Sequence, residues 1–225
     1  MKILPVSKYC VAPGKPVCIA DFDPNTKAGL EKKADGLALL AEMHAELRVL
    51  QQRLFAESNQ SLLVVLQAMD TAGKDSTIRH VFGPLNPQGV AVSSFKALSS
   101  EELSHDFLWR VHPHCPAKGM ISVFNRSHYE DVLIVKVHQW ASEKIIKQRY
   151  EHIRAFESLL HDHGTAVIKI YLNINKDEQK QRLQDRLDRP EKNWKFNPAD
   201  LDERALWKTY MGAYEKAMAE TSTKN

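Results

Sequence analysis

The strongest constraint on the fold is a short apolar segment that runs straight into a loop built around glycine and lysine. Leu62–Leu66 is wholly apolar and is bounded by polar residues, which is typical of a strand buried on both faces of a parallel sheet. The loop Ala68–Thr77 follows with Gly73 and Lys74 at its centre, and a helical pattern begins at Ser76. The segment therefore predicts a strand, a loop and a helix in direct succession.

Strand and helix patterns continue to alternate after this unit. Further strands are predicted at Val90–Phe95, Met120–Phe124 and Ala166–Leu172. Helices are predicted at Ser76–Phe82, Ser100–Arg110, Glu143–His163 and Lys176–Asp188. This alternation indicates right-handed crossover connections and a doubly wound α/β sheet.

The two ends of the chain have patterns of their own. Residues 1–28 contain four prolines, so we predict an extended arm that lies on the body. Residues 29–58 are predicted to form an amphipathic helix with one buried stripe, made of Leu30, Leu37, Leu40, Met43, Leu47, Leu50 and Leu54. Asp200 followed by Glu203 resembles a capping box, which predicts a last helix from there to about Ala219.

Composition excludes several classes of protein. The chain has 225 residues, which favours one domain with additions, and 31 − 28 gives a net charge of +3, too small to indicate nucleic acid by itself. No apolar run approaches the roughly 18 residues of a membrane helix, and no secretory h-region is present. The three cysteines do not form a disulfide pattern, so we expect a cytoplasmic protein.

The Ala68–Thr77 loop resembles the phosphate-binding pattern G-x-x-x-x-G-K-[ST], with two departures. Ala68 replaces the first glycine and Asp75 replaces the hydroxyl residue. The chemistry needs backbone N–H groups at a helix N-terminus and a lysine that reaches the phosphate charge, which Gly73 and Lys74 would supply. The alternative is an ordinary strand-to-helix turn.

A second polar cluster follows the predicted strand Met120–Phe124. Ligands of doubly wound sheets bind at the carboxyl ends of strands, so this cluster is expected to share one crevice with the phosphate loop. Asn125 stands where P-loop enzymes usually place a magnesium-binding aspartate, and Arg126 could stabilise a transferring phosphoryl group. The alternative is a helix cap supplied by Ser127.

Three arginines are spaced for one face of the Lys176–Asp188 helix. Arg182, Arg186 and Arg189 precede Pro190, and arginine forks bind phosphate oxygens two at a time. Such a segment serves as a mobile lid in mononucleotide kinases. Interleaved acidic residues leave a solvated charged face as the alternative, and they are Glu178, Asp185, Asp188 and Glu191.

Taken together, these motifs resemble the family-2 polyphosphate kinases. The matching stretches are LLVVLQAMDTAGKDSTIRHVFGPLNPQGV, SSFKALSSEELSHDFLWRVH, VFNRSHYEDVL and RLDRPEKNWKFNPADLDERALWKTYMGAYEKAM. The FNRS-x-YE form is similar to the class that phosphorylates AMP as well as ADP. Family members usually continue after the last helix into a further strand and helix, so a chain shortened at its C-terminal end is one interpretation.

The resemblance implies a P-loop kinase fold over residues 29–225, a three-layer α/β/α sandwich with a mostly parallel sheet and a helical lid at about residues 182–200. It implies Mg²⁺ as cofactor and transfer of phosphoryl groups from inorganic polyphosphate to AMP or ADP, and the reverse. The expected partners are polyphosphate, AMP, ADP and ATP, without nucleic acid or membrane, and a homo-oligomer is expected.

By position, the resemblance also assigns roles to site residues. The catalytic group would be Asp70, Lys74, Arg126 and Glu130, with Asp70 as the metal ligand. Phosphate would be bound by Ala72, Gly73, Lys74, Asp75, Ser76, Lys96, Arg182, Arg186 and Arg189. The nucleotide would be bound by Asn125, Arg126 and Glu130, of which Glu130 is the residue tied to AMP use. Two other functions stay open, an ATP-dependent small-molecule or nucleoside monophosphate kinase and a non-catalytic polyanion-binding module.

Overall fold

Four parallel strands form the sheet at the centre of the computed structural model, which describes residues 6–30 and 32–224. The strands are β1 (Ser61–Gln67), β2 (Val90–Ser94), β3 (Ile121–Asn125) and β4 (Thr165–Tyr171). Their order is β2-β3-β1-β4. Each end lies within one residue of its predicted position, and the predicted α/β fold with a mostly parallel sheet is confirmed.

Helices cover both faces of this sheet. They are α1 (Lys33–Glu57), α2 (Lys74–Phe82), α3 (Ser100–Leu103), α4 (Ile134–Val137), α5 (Glu143–Asp162), α6 (Lys176–Asp188), α7 (Ala199–Ala205) and α8 (Trp207–Thr221). Short 3₁₀ turns occur at Val6–Tyr9, Ile19–Asp21, Pro87–Gly89, His112–His114, His128–Val132 and Pro190–Lys195. Across the described ranges, no helix is both long and apolar enough to span a membrane.

The central strand β1 supplies side chains to two separate cores. Leu63 and Val65 pack with α5 and α8 on one face, whereas Val64 and Leu66 pack with α1 and α2 on the other. Successive strand residues point to opposite faces, which explains why this strand is apolar without interruption. The result is the expected three-layer arrangement of helices, sheet and helices.

The predicted buried stripe of α1 is wrong for three of its seven residues, and the other four are partly buried. Leu47 and Leu54 pack on the core, but three of its members are about half exposed, namely Leu37 at 56%, Met43 at 46% and Leu50 at 50%. Polar bonds help to hold the helix in place, because Gln51 bonds both the N–H and the C=O of Asn86 at 2.9 and 2.8 Å. The helix also begins at Lys33 rather than at Gly29, since Ala28 and Gly29 both have positive φ.

The predicted helix Ser100–Arg110 is wrong beyond its first turn. A capping box between Ser99 and Glu102 starts α3, which ends at Leu103. The Asp106 carboxylate then accepts the N–H of Leu108 at 3.0 Å. This local bond competes with helical hydrogen bonding and turns the chain away.

The predicted C-terminal helix is divided into α7 and α8 at Leu206. The capping box at Asp200 is also wrong. The N-cap of α7 is Pro198, and Asp200 instead accepts a hydrogen bond from Arg186 at 3.0 Å.

The N-terminal arm contacts the body at Ile19, which is buried and whose N–H donates to Glu215 of α8 at 2.8 Å. Met1–Pro5, also part of the predicted arm, lie outside the described residues.

Candidate active site

The phosphate loop and the Asn125–Asp131 block meet at the carboxyl ends of β1 and β3. The two strands are parallel neighbours, with Leu66 opposite Asn125, so the segments that follow them lie side by side. The Arg126 N–H donates to the carbonyl of Leu66 at 3.1 Å, and Arg126 has a φ of 61°. A non-glycine residue rarely adopts this left-handed conformation, and here it lies at the predicted crevice.

The phosphate loop ends in a tight entry to α2. Gly73 is the N-cap with a φ of 102°, and a Cβ atom at this position would lie 3.2 Å from Nη1 of Arg182. The next residues, Lys74, Asp75 and Ser76, form the first turn of a nine-residue helix. Their unpaired N–H groups, together with that of Gly73, make this helix end suited to an anion.

Lys74 is 9% exposed and reaches back over the loop. Its ammonium donates to the carbonyls of Ala68 and Met69 at 3.0 and 3.3 Å. Burial lowers the pKa of Lys74 below 10.5, although the charges of Asp70 and Glu130 act in the opposite direction. A cation buried among carbonyls and carboxylates is well placed to exchange these partners for phosphate oxygens.

Asp70 and Arg126 form an ion pair across the crevice. Burial opposes the charge of Arg126, but the Asp70 and Glu130 carboxylates outweigh burial and raise its pKa. Glu130 is partly buried, and its desolvation raises its pKa even though Arg126 and Lys74 act to lower it. The four predicted catalytic residues therefore lie close enough to interact as one charge cluster.

Asp75, which replaces the usual hydroxyl residue, is held by two neighbours. Nδ2 of Asn125 donates to one carboxylate oxygen at 2.8 Å and the Lys195 ammonium to the other at 3.3 Å. Burial favours the neutral acid, but these two hydrogen bonds lower the pKa of Asp75. Asp75 thus connects α2 with the Asn125–Asp131 block, which follows β3 and is called the β3 block below, and with the segment after α6.

The three arginines of the predicted lid do not share one environment. Arg182 donates to the carbonyl of Thr71 in the loop at 3.2 Å and to Glu178 at 2.8 Å. Arg186 bonds Asp200 at 3.0 Å. The prediction that Arg189 lies on the same helical face is wrong, because it follows the end of α6 in extended conformation, is 54% exposed and pairs with Glu191.

The alternative of a solvated helix face applies to the rest of α6. Asp185 accepts from Gln181 at 3.1 Å and Asp188 accepts from Gln184 at 2.8 Å. These two acids are bonded to glutamines, whereas Glu178 pairs with Arg182, which also reaches the loop at Thr71.

Lys96 lies two residues after the end of β2 with an exposed side chain. Its carbonyl accepts a hydrogen bond from Nη1 of buried Arg110 at 2.9 Å. Arg110 also lies over the Phe95 ring, with 5.5 Å from its Cζ to the ring centroid. Arg110 therefore fixes the backbone that presents Lys96.

Sequence reasoning missed a buried amide under the loop. Gln179 of α6 is buried, and its Nε2 donates to the Asp70 carbonyl at 3.0 Å. Arg204 of α7 in turn donates to Oε1 of Gln179 at 3.0 Å. A single glutamine within a polar helix has no pattern that could have identified it.

Within the described ranges, no three His, Cys, Asp or Glu side chains are grouped to hold a metal ion. Magnesium differs from other metals because it is commonly bound by one or two carboxylates together with substrate phosphates. Asp70, beside Lys74 and Arg126, fits that pattern.

A wholly parallel α/β sandwich with a Walker-type loop at the head of α2 is the architecture of a P-loop phosphotransferase. The family model for polyphosphate kinase 2 matches residues 30–225. A relative from Meiothermus ruber, named AMP/ADP-polyphosphate phosphotransferase, is 50% identical over 97% of this chain and 82% of its own length. The ADP-polyphosphate phosphotransferase of Rhodopseudomonas palustris is 44% identical over 97% of this chain and 80% of its own.

Solved structures agree with these sequence relatives. The crystal structure of polyphosphate kinase 2 from Arthrobacter aurescens TC1 matches with a TM-score of 0.90 and 48% identity, covering 95% of this chain and 81% of that one. A second structure, a polyphosphate kinase 2 from Pseudomonas aeruginosa, gives a TM-score of 0.85 at 29% identity, covering 92% of this chain and 43% of that one. The chain belongs to the polyphosphate kinase 2 family, as its motifs predicted.

Proposed function

We propose that this protein transfers phosphoryl groups from inorganic polyphosphate to AMP and ADP, and catalyses the reverse reaction. The observation that carries this proposal is the charge cluster of Asp70, Lys74, Arg126 and Glu130 at one crevice. The family and the names of the relatives support the donor and the acceptors.

The proposed reaction is a single displacement at phosphorus. A phosphate oxygen of the nucleotide attacks the terminal phosphorus of the chain, a new phosphoanhydride forms, and the bond to the next polyphosphate residue breaks. The shortened chain keeps the bridging oxygen and its negative charge. Lys74 and Arg126 stabilise the charge on the oxygens of the transferring group, which is the main contribution a protein makes to this chemistry.

Each predicted binding residue has a place in this proposal. Residues 72–76 bind phosphate through the head of α2, and Lys96, Arg182, Arg186 and Arg189 bind the polyphosphate chain under a lid at about residues 182–200. Asn125, Arg126 and Glu130 bind the acceptor nucleotide. Arg182 is the best supported lid residue, because it already contacts the loop at Thr71.

Mg²⁺ is proposed as the cofactor, with Asp70 as its carboxylate partner. When bound, it would neutralise phosphate charge. Asp70 would then exchange its present ion pair with Arg126 for the metal, which frees Arg126 for phosphate.

Further proposals concern the setting of the enzyme. We expect a cytoplasmic homo-oligomer that binds neither nucleic acid nor membrane, with residues 1–28 as an arm and 29–225 as the kinase domain. Met43 and Leu50, seven residues apart on one face of α1, are exposed and support an oligomer, since apolar side chains grouped on a surface mark contacts between proteins.

A donor–acceptor matrix tests the function. AMP and ADP are each offered with polyphosphate and Mg²⁺ but no ATP, and in parallel with ATP but no polyphosphate. Nucleotide phosphorylation with polyphosphate alone is the expected result. Product that needs ATP would favour the ATP-dependent kinase, and polyphosphate binding without any product would favour the polyanion-binding module.

A further inference from the structure

A second buried glutamine, Gln67, lies at the carboxyl end of β1 and is 7% exposed. Its amide lies between two parts of the β3 block, Ser127 and Glu130. Gln67 is three residues before Asp70, so it is joined directly to the phosphate loop. It has no role in the site as described so far.

The neighbours of this amide determine its orientation. One amide atom lies 2.9 Å from Oγ and 3.1 Å from the backbone N of Ser127, and the other lies 3.0 Å from Oε1 of Glu130. The Ser127 N–H can only donate, so the first atom must be the amide oxygen. The amide nitrogen then donates to Glu130.

The Ser127 hydroxyl is consistent with this arrangement. Its oxygen accepts the N–H of Tyr129 at 3.1 Å, which leaves its own proton for the Gln67 oxygen. Each of these contacts then joins a donor to an acceptor. The reversed amide would place its nitrogen against the Ser127 N–H, donor against donor, and its oxygen against Oε1 of Glu130, acceptor against acceptor.

We propose that Gln67 is a positioning residue that orients the Glu130 carboxylate and thereby sets recognition of the acceptor nucleotide. This rests on the proposed function of Glu130. Arg126 and Lys74 act on Glu130 through their charges, whereas Gln67 fixes it with a directed hydrogen bond. Because that bond occupies Oε1, it fixes the direction of the second carboxylate oxygen, which stays available for a donor group on the nucleotide.

The same amide couples Glu130 to the phosphate loop. Gln67 belongs to the strand that leads into the loop, and its oxygen holds Ser127 at the start of the turn that contains Glu130. One side chain therefore connects the strand that leads into the phosphate loop with the residue proposed to recognise the acceptor. Substitution of Gln67 should weaken binding of the acceptor nucleotide more than binding of the polyphosphate donor.

The test uses Gln67→Met, Gln67→Glu, Glu130→Gln and the exchanged pair Gln67→Glu/Glu130→Gln. Gln67→Met keeps the side-chain length and loses the donor, and Gln67→Glu places a second carboxylate beside Glu130. Each should raise the KM for AMP about tenfold or more, because a hydrogen bond to a charged group is lost. The KM for polyphosphate should stay within about twofold.

The exchanged pair separates a specific contact from general packing. The carboxylate at position 67 can accept from Ser127 and from the new amide at position 130, so the hydrogen bonds are restored with their direction reversed. The pair should recover the melting temperature that Gln67→Glu alone loses, whereas the KM for AMP should stay raised because the charge has moved. Gln52→Glu, on the exposed side of α1, is the matched control and should change neither quantity.

Two results would overturn the proposal. One is an equal rise in the KM values of AMP and polyphosphate in Gln67→Met and Gln67→Glu. The other is a shift in melting temperature for the exchanged pair that equals the sum of the shifts for Gln67→Glu and Glu130→Gln. This measurement needs no activity. If the wild type instead transfers nothing from polyphosphate, the proposed function fails, and the melting temperatures still decide whether the two side chains are coupled.

Discussion

Lys74 is the residue whose charge the proposed transfer depends on most directly. Its ammonium is buried beside the loop carbonyls, and the loop Ala68–Thr77 contains no other lysine or arginine. Lys74→Ala should lower turnover about a hundredfold or more, because stabilisation of the transferring group is lost. Steady-state kinetics with a circular dichroism spectrum checks this, and exposed Lys118→Ala is the matched control. Near-normal turnover of Lys74→Ala would contradict the phosphate-loop assignment.

Asp70 carries the metal assignment. Asp70→Asn keeps the shape of the side chain but removes the charge that would attract Mg²⁺, so turnover should fall steeply and the residual turnover should depend more weakly on Mg²⁺. A Mg²⁺ titration of turnover for wild type, Asp70→Asn and the exposed control Asp162→Asn measures this. An unchanged titration in Asp70→Asn would show that the carboxylate is not a partner of the metal.

At this scale the sequence predicted residues that belong to a local motif. Asp70, Lys74 and Arg126 follow strands directly, and parallel strands bring their carboxyl ends together. Gln67 and Gln179 could not be found in this way. Each acts by hydrogen bonding to a segment distant in the sequence, and a buried amide has no spacing that reveals it.

Among the elements, the segment from α6 to Lys195 is proposed to bind polyphosphate, and salt is a suitable probe. Binding to a polyanion releases counterions, so affinity should fall steeply as salt rises, by analogy with nucleic acids. Arg182→Ala and Arg186→Ala should each flatten the slope of log affinity against log salt by about one unit. Arg189→Ala should change it less, because Arg189 lies outside α6 and pairs with Glu191.

The measurement is the Kd of polyphosphate over a salt series for wild type and the three variants. Lys192→Ala, in the same 3₁₀ turn as Glu191, tests whether any nearby cation has the same effect. The slope of log affinity against log salt for nucleotide binding should change little, since a nucleotide has few phosphates. Equal slopes of log affinity against log salt for wild type and all variants would contradict the lid. They would favour the alternative, in which these arginines belong to a solvated helix face.

Helices and strands were predicted well where an apolar pattern defines them. They were predicted poorly where side-chain hydrogen bonds fix their position or their end. β1, β3 and α5 follow apolar patterns that match their burial, whereas β2 and β4 have exposed apolar residues such as Val92 and Ile168. The position of α1 depends partly on Gln51 and Asn86, and the end of α3 on Asp106. A periodic apolar pattern could not anticipate those contacts.

In the whole molecule, one buried carboxylate joins the site to the distant end of the chain. Glu157 of α5 accepts from Tyr129 at 2.9 Å and from Lys169 of β4 at 2.6 Å, and it lies 3.4 Å from Nε2 of His128. The Lys169 ammonium also donates to the carbonyl of Thr221 in α8 at 2.7 Å. Four elements are thus tied together immediately after the Asn125–Arg126 pair.

This cluster predicts how stability depends on pH. Burial favours the neutral acid, but His128 and Lys169 outweigh burial and hold the pKa of Glu157 below its ordinary 4.5. A carboxyl with a lowered pKa in the folded state stabilises the protein above pH 4.5, and the stabilisation is lost as the pH falls through the lowered value. Glu157→Gln cannot ionise, so it should lose about 2 kcal/mol at neutral pH and melt about 4–8 °C lower.

The measurement is the stability gap, which is the difference in free energy of unfolding between wild type and Glu157→Gln. It is obtained from urea unfolding at neutral pH and at several pH values below 4.5. The gap should narrow as the pH falls, because protonation removes from the wild type the charge that the variant already lacks. Glu151→Gln, exposed on the same helix, should follow the wild type throughout. A gap of constant size would mean that Glu157 contributes by shape and hydrogen bonding alone, and the charge of Lys169 would then have no part in holding β4 to α8.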